Sequence, residues 1–308
     1  MKKQLTQELQ REPASNKVFI TGIDGFTGKY VEQQLLGLGY EVFGTTVNKV
    51  NASQNHITCD LRNFDEIYNA LNAINPNYIL HFAGISYVGE MNKSLIYDVN
   101  VIGTENLLNA ILIAGLEPTK VILASSATVY GNQDSAILDE SMCPKPVNHY
   151  GYSKLIMEHL ATTYFDKLNL IITRPFNYTG PLQDEKFLIP KIVSHFKRKE
   201  SVIELGNINV AREFNHISDI SNIYLSLMKC DTTGSIVNLC SGKPVYLLDI
   251  IKHLNSLAGY EISVKVNEAF VRKNEIPVLT GCTKKLYSAI DYECRMTIEG
   301  TLLDMYNS

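Results

Sequence analysis

Runs of consecutive apolar residues recur along the chain and predict strands at 18–21, 41–45, 56–59, 78–83, 121–124 and 170–173. Between them apolar residues return at helical spacing: Tyr30, Val31, Leu35, Leu36 and Leu38 up to Gly39, then Phe64, Ile67 and Leu71, then a long stretch over 93–114. Strands that are apolar throughout are buried on both faces, and their alternation with helices is the pattern of an α/β fold with a doubly wound parallel sheet. The alternation breaks after Pro175, where Pro181 and Pro190 punctuate the chain, and sheet-like character returns at 235–239. A helix over 247–257 and a strand over 262–266 follow. This predicts a main domain of 17–178 plus 217–240, a smaller discontinuous α/β lobe of 179–216 plus 241–308, and a polar extension at 1–16.

Composition narrows the class. A chain of 308 residues, 45% hydrophobic and 19% charged, can bury a substantial core and reads as a soluble globular protein. The formal net charge of -4 gives no reason to expect a nucleic-acid or membrane partner. Six cysteines (Cys59, Cys143, Cys230, Cys240, Cys282, Cys294) are scattered, without the clustering that a metal site or a disulfide framework needs, so no metal is expected. Lys2 and Lys3 are followed by polar residues instead of the apolar run of a signal peptide, and no stretch is membrane-length. The expected location is the reducing cytoplasm.

Candidate chemistry sits where the strands end. Gly22, Gly25 and Gly28, with Phe26 among them, follow the first strand and open a helix. Glycines in that context permit a tight turn and close approach of backbone to a pyrophosphate, the signature of a Rossmann-type dinucleotide site. Asp60-Leu61 lies past the third strand, where Asp60 could accept from an adenine amine or cap the helix beginning near Asn63. Small residues Ala83 and Gly84 end the fourth strand, and Ser125-Ser126-Ala127-Thr128 closes the fifth. Tyr150 and Lys154 stand four apart at the start of a helical pattern, so phenol and ammonium share one face. A neighbouring cation favours phenolate, and the sequence therefore predicts a Tyr150 pKa drawn toward the working range. At the end of the second strand stand Thr45, Thr46 and Asn48 with Lys49 beyond, and no acid. An acid there would bond the ribose of NAD, so the pattern leans to NADP(H) over NAD(H).

Together the glycine trio, His81-Phe82-Ala83-Gly84, Ser125 through Gly131, Tyr150-Gly151-Tyr152-Ser153-Lys154 and Arg174-Pro175-Phe176-Asn177 resemble the extended short-chain dehydrogenase/reductases that act on nucleotide sugars. The resemblance spans about 17–290. Within that branch Arg212-Glu213-Phe214, Asn238 through Lys243 and the segment from Arg272 to Gly281 look most similar to the GDP-4-keto-6-deoxy-D-mannose reductases. The resemblance implies Tyr150 as acid/base, Lys154 as its electrostatic partner and a ribose ligand, and Ser126 on the reacting oxygen. It implies a cofactor held by Gly22, Gly25, Phe26, Gly28, Thr45, Asp60, Leu61, Ala83, Gly84, Asn100 and Lys154. Ser86 and Asn177 would contact the nucleotide sugar, and Arg212 and Arg272 its diphosphate.

Departures qualify the resemblance. Cys282 stands where relatives carry Asp, and the usual Leu-Gly-Trp further on is missing. Related dehydratases carry an Asp-Glu pair after the triad hydroxyl. Here those positions are Ala127 and Thr128, which cannot do acid–base work. Reduction of a 4-keto-6-deoxyhexose is therefore the expected activity, with 4-epimerisation the enzymatic alternative and a non-catalytic cofactor sensor a further one. A homodimer is expected through the helices around Asp98–Ile102 and Tyr150, from the apolar positions Leu107, Leu108, Ile111, Leu112, Ile156 and Leu160.

Overall fold

The computed structural model describes residues 16–49, 53–86, 90–271 and 277–308. The first half alternates strand and helix: β1 Lys17–Thr21, α1 Phe26–Gly37, β2 Glu41–Thr46, β3 His56–Thr58, α2 Phe64–Ile74, β4 Tyr78–His81. The long helical stretch follows as α3 Lys93–Tyr97, a π turn Asp98–Ile102 and α4 Gly103–Ile113, leading to β5 Lys120–Ala124. A 3₁₀ turn Ala127–Tyr130 and the short β6 Ile137–Leu138 precede α5 His149–Thr162 and β7 Leu170–Pro175. Local chemistry sets the ends. Asn63, Asn92 and Asn148 each cap the N-terminus of a helix with a side-chain oxygen, and Asn75 closes α2 in the left-handed conformation at φ 50°.

These strands apart from β6, together with β12 Ser235–Leu239, form one parallel sheet in the order β12-β7-β5-β4-β1-β2-β3. The order reverses between β1 and β4, so their carboxyl ends open a crevice, the place where open α/β sheets bind ligands. One face of the sheet is covered by α2, α4 and α5, through a core that includes Phe19, Ile67, Leu107, Leu108, Ile111, Leu123 and Met157. Leu107, Leu108 and Ile111 are thus buried inside the protomer, which corrects their assignment to a subunit interface. The other face packs on α1 and α7 Ile217–Lys229, through Ile20, Val31, Leu35, Ile220, Tyr224 and Leu227.

The remaining elements build the smaller lobe: β8 Tyr178–Thr179, α6 Leu188–Lys197, β9 Val202–Leu205, β10 Ala211–Arg212, β11 Asn215–His216, β13 Val245–Tyr246, α8 Leu247–Ala258, β14 Ser263–Val266 and β15 Val278–Gly281. Helices α9 Lys284–Ala289 and α10 Ile298–Asn307 end the chain. The helices α6, α8 and α10 share a core of Ile189, Ile192, Phe196, Ile250, Leu254 and Leu302. Two segments cross the expected lobe boundaries. Strand β6 leaves the main domain to edge the small sheet β13-β10-β15-β6, and α9 returns to the large sheet, where Leu286 and Ile290 join its core. Two-residue strands are too short to reveal a period, which is why they escape a reading of the sequence.

Glu213 ties this lobe together. Its buried carboxylate accepts from Ser241 N–H at 2.7 Å, Gly242 N–H at 3.2 Å and Gly281 N–H at 2.6 Å, and from the Thr280 hydroxyl. One side chain therefore joins the loop after β12 to the end of β15, beside Arg212 on β10.

Candidate active site

The glycine turn is locked to β2. Gly22 and Ile23 N–H groups donate to Thr45 O at 3.1 and 3.2 Å, and Gly25 N–H donates to Gly22 O at 3.0 Å. Gly22 has φ +70°, and a Cβ there would stand 2.9 Å from Ala83 backbone, so only glycine lets β1 and β4 approach. A Cβ on Gly28 would lie 2.4 Å from Gly22 O. Helix α1 begins at Gly25 with no side-chain cap and no acid in its first turn. Its leading N–H groups and dipole thus face the crevice without a side-chain acceptor, which fits an anionic pyrophosphate. Phe26 does not simply line that turn: it stacks on Tyr178 of β8, with centroids 6.0 Å apart.

At the carboxyl end of β5, Ser126 caps the 3₁₀ turn, and its Oγ accepts from Thr128 N–H at 3.2 Å and Thr128 Oγ1 at 2.9 Å. With both lone pairs engaged, the Ser126 hydroxyl has only its proton left to give, and the Tyr150 phenol lies near enough for Ser126 to hold its pKa down. Thr128 is thus a functional neighbour that the sequence reading treated only as a missing acid. Burial pushes the Tyr150 pKa up to about 12, opposed by Ser126 and assisted by nearby Tyr178. The expected drop in that pKa is not found, because desolvation outweighs any pull from Lys154. Lys154 lies one turn along α5, buried, its Nζ donating to Ala124 O at 2.7 Å; burial lowers its pKa to about 8, against the pull of Glu158.

A second network holds Lys154's surroundings. Ala83 N–H donates to Thr21 Oγ1 at 3.2 Å, which leaves the Thr21 proton for His81 Nδ1 at 2.7 Å. His81 Nε2–H then donates to Thr104 Oγ1 at 2.8 Å, and Thr104 donates to Asn100 O at 2.8 Å. This chain of bonds fixes the neutral tautomer, in accord with a His81 pKa lowered to about 3 by burial and by the Lys154 charge. Asn100 sits fully buried in the π turn, accepting from Ile85 N–H at 2.8 Å and donating to Ser153 Oγ at 3.0 Å. A Cβ on Gly84 would come within 3.0 Å of Asn100 Oδ1 and 3.3 Å of Lys154 Nζ, so the open space beside Lys154 exists because residue 84 has no side chain.

Other candidates are dispersed. Thr45 is buried under the glycine turn, and Leu61 is a core residue whose carbonyl accepts from Asn106. Asp60 is not the helix cap, which is Asn63; it is forked onto Arg62, the nearest pair at 2.5 Å. Ser86 and Asn177 are exposed, and Asn177 O accepts from Asn215 N–H at 2.9 Å. Arg212 Nη1 donates to Ala211 O at 2.7 Å, and Arg272 lies outside the described residues. The absence of an acid at the end of β2 is only a feature of the linear sequence. Asp24 of the glycine turn reaches that end and accepts from Thr46 Oγ1 at 2.6 Å. Among the described residues no group of His, Cys, Asp and Glu is arranged to hold a metal ion, and no helix is long and apolar enough to cross a membrane.

The topology finds its counterpart in known proteins. A family model described as GDP-mannose 4,6 dehydratase matches residues 19–305. The chain belongs to the GDP-mannose 4,6 dehydratase family. The family lies within the extended short-chain dehydrogenase/reductases, so the resemblance drawn from the motifs holds, and with it a nicotinamide-dependent enzyme. Among relatives, the GDP-6-deoxy-D-talose 4-dehydrogenase of Aggregatibacter actinomycetemcomitans is 35% identical, covering 95% of this chain and 97% of its own. The GDP-6-deoxy-D-mannose reductase of Pseudomonas aeruginosa is 27% identical, covering 94% and 95%. The solved structure of RMD from Pseudomonas aeruginosa complexed with NADPH superposes with a TM-score of 0.83 at 26% identity, over 95% of this chain and 98% of that one.

Proposed function

We propose that this protein reduces the 4-keto group of a GDP-linked 4-keto-6-deoxyhexose. The observation that carries the reading is the placement of Tyr150 one helical turn from Lys154, with Ser126 at the end of β5, at the crevice end of the sheet. A phenol keeps its proton at neutral pH and can give it to an oxygen that gains negative charge. No carboxylate follows Ser126: Ala127 and Thr128 stand where a dehydratase of this family needs an acid pair, and Thr128 is bonded back to Ser126. The family's descriptive name therefore does not carry its dehydration over to this chain. The two curated relatives act, by their names, on GDP-6-deoxyhexoses.

In this reading Gly22, Gly25, Phe26 and Gly28 bind the cofactor's pyrophosphate region, and Ala83, Gly84, Asn100 and Lys154 hold its nicotinamide end. The reduced nicotinamide supplies the hydride. Ser126 orients the sugar oxygen, Tyr150 Oη protonates it, and the Lys154 ammonium favours the phenolate left behind. Asn177, Arg212 and Arg272 serve the nucleotide-sugar diphosphate. The talo-configured product is preferred, following the relative at 35% identity.

The test offers the purified protein GDP-, dTDP-, UDP- and CDP-linked 4-keto-6-deoxyhexoses with NADH or NADPH. It follows nicotinamide oxidation and reads the C4 configuration of the product by NMR. Stoichiometric oxidation with the GDP sugar is expected. Tyr150→Phe should cut turnover by ~100-fold or more while cofactor affinity holds. Interconversion of two 4-hydroxy sugars without added cofactor would instead establish an epimerase.

A further inference from the structure

The acid that the second strand lacks comes from the turn facing it. We infer that Asp24 reads the adenosine ribose of the cofactor and makes the site prefer NAD(H) over NADP(H); the inference rests on the nicotinamide-dependent reading above. In doubly wound dinucleotide folds the ribose is read by an acid at the end of the second strand, about 20 residues past the glycines. Thr46 occupies that end here. Its hydroxyl accepts from Asn48 N–H at 3.0 Å and donates to Asp24 Oδ2 at 2.6 Å. The turn carrying Asp24 is itself fastened to β2 by the Gly22 and Ile23 bonds to Thr45 O, so the carboxylate is held at this edge and is not a wandering surface group. Asp24 is half-buried.

A carboxylate accepts a hydrogen bond from a ribose hydroxyl but has nothing to accept from a dianionic 2′-phosphate. Two like unit charges at about 4 Å in the effective dielectric of a protein surface repel strongly enough to cost tenfold or more in affinity. Of the cations in this part of the sequence, one is already paired and one lies at the surface. Arg62 is forked onto Asp60 at 2.5 Å, and Lys49 is exposed beyond the strand end. Glu32, bonded to His56 at 2.5 Å, adds a further acid close to β3. The preference would set this chain apart from its NADPH-bound relative.

The test needs no sugar substrate. The chain has no Trp, so bound NADH or NADPH can be followed by nicotinamide fluorescence without indole interference. The full-length protein and Asp24→Asn are titrated with each dinucleotide, and their melting temperatures are compared to establish that both are folded. The parent should bind NADH at least about tenfold more tightly than NADPH, and Asp24→Asn should narrow that ratio chiefly by strengthening NADPH. A parent that binds NADPH as tightly as NADH, or a variant whose two affinities move together, would overturn the role of Asp24. Binding of neither dinucleotide would overturn the nicotinamide reading itself, and the inference with it.

Discussion

Replacing Arg174 by methionine should be among the more damaging single changes in the main domain. Arg174 on β7 and Glu158 on α5 form a fork, with Nη2 2.7 Å and Nε 3.0 Å from the carboxylate, and their side chains are 3% and 2% exposed. The guanidinium also lies 4.7 Å from the Tyr130 ring, while Glu158 takes a further bond from Ser125 Oγ. Arg174→Met keeps most of the apolar volume but strands the Glu158 charge in the interior. Removing one partner of a buried pair costs ~3–5 kcal/mol. Because Ser125 still bonds Glu158, the lower end, ~3 kcal/mol, is expected, and the melting temperature should fall by ~5–10 °C. The double variant Arg174→Met/Glu158→Gln carries no stranded charge and should recover most of that loss. Circular-dichroism melts of the parent, both singles and the double complete the cycle. A single variant within ~2 °C of the parent, or a double no better than Arg174→Met, would refute the assignment.

Two further predictions follow from the same chemistry. With a Lys154 pKa near 8 against 10.5 for an unperturbed lysine, the folded state binds fewer protons between those values. Its contribution to stability is therefore full above about 10.5 and lost as pH falls through about 8. Cofactor affinity, which needs the ammonium, should show the opposite trend and weaken as pH rises through about 8. Lys154→Met should abolish that break in a fluorescence titration, and a break that persists would assign it to another group. The proposed homodimer is better served by side chains the protomer leaves outside its core: Ile102, Tyr152 and Ile156 are 45%, 48% and 46% exposed on the π turn and α5. Ile156→Lys should sediment as a monomer at micromolar concentration, whereas a parent that is already monomeric would dispose of the interface.

Much of this molecule can be read from its sequence, and the exceptions share a cause. The strands of the large sheet are legible because each is a local run of apolar residues, and the glycine turn because Gly22 and Gly28 sit where any side chain would collide. The break in the long helix is not legible. No proline marks it, and Asn100 is tied instead to Ile85 and Ser153, far away in the chain. Asp24 is hidden in the same way, since it meets the end of β2 across a turn and not along the strand. Nor can residue spacing foretell that burial, not the lysine one turn away, governs the Tyr150 proton.

The π turn has a consequence for how this chain can change length. Gly103 N–H reaches back five residues to Asp98 O, so the turn accommodates one residue more than an α turn does. Successive residues of an α-helix are ~100° apart around its axis. Losing one residue between Asp98 and Ile102 would therefore leave an ordinary α turn, whereas losing one elsewhere in the helix would turn its two halves against each other by about that angle. Leu107, Leu108 and Ile111 anchor the later half in the core, so the twist would fall on the half that begins at Asn92. Loops elsewhere can shorten without disturbing their neighbours. In this helix a residue missing outside the π turn is a rotation, and it would swing the capped start of α3 away from Tyr97's bond to His149 on α5.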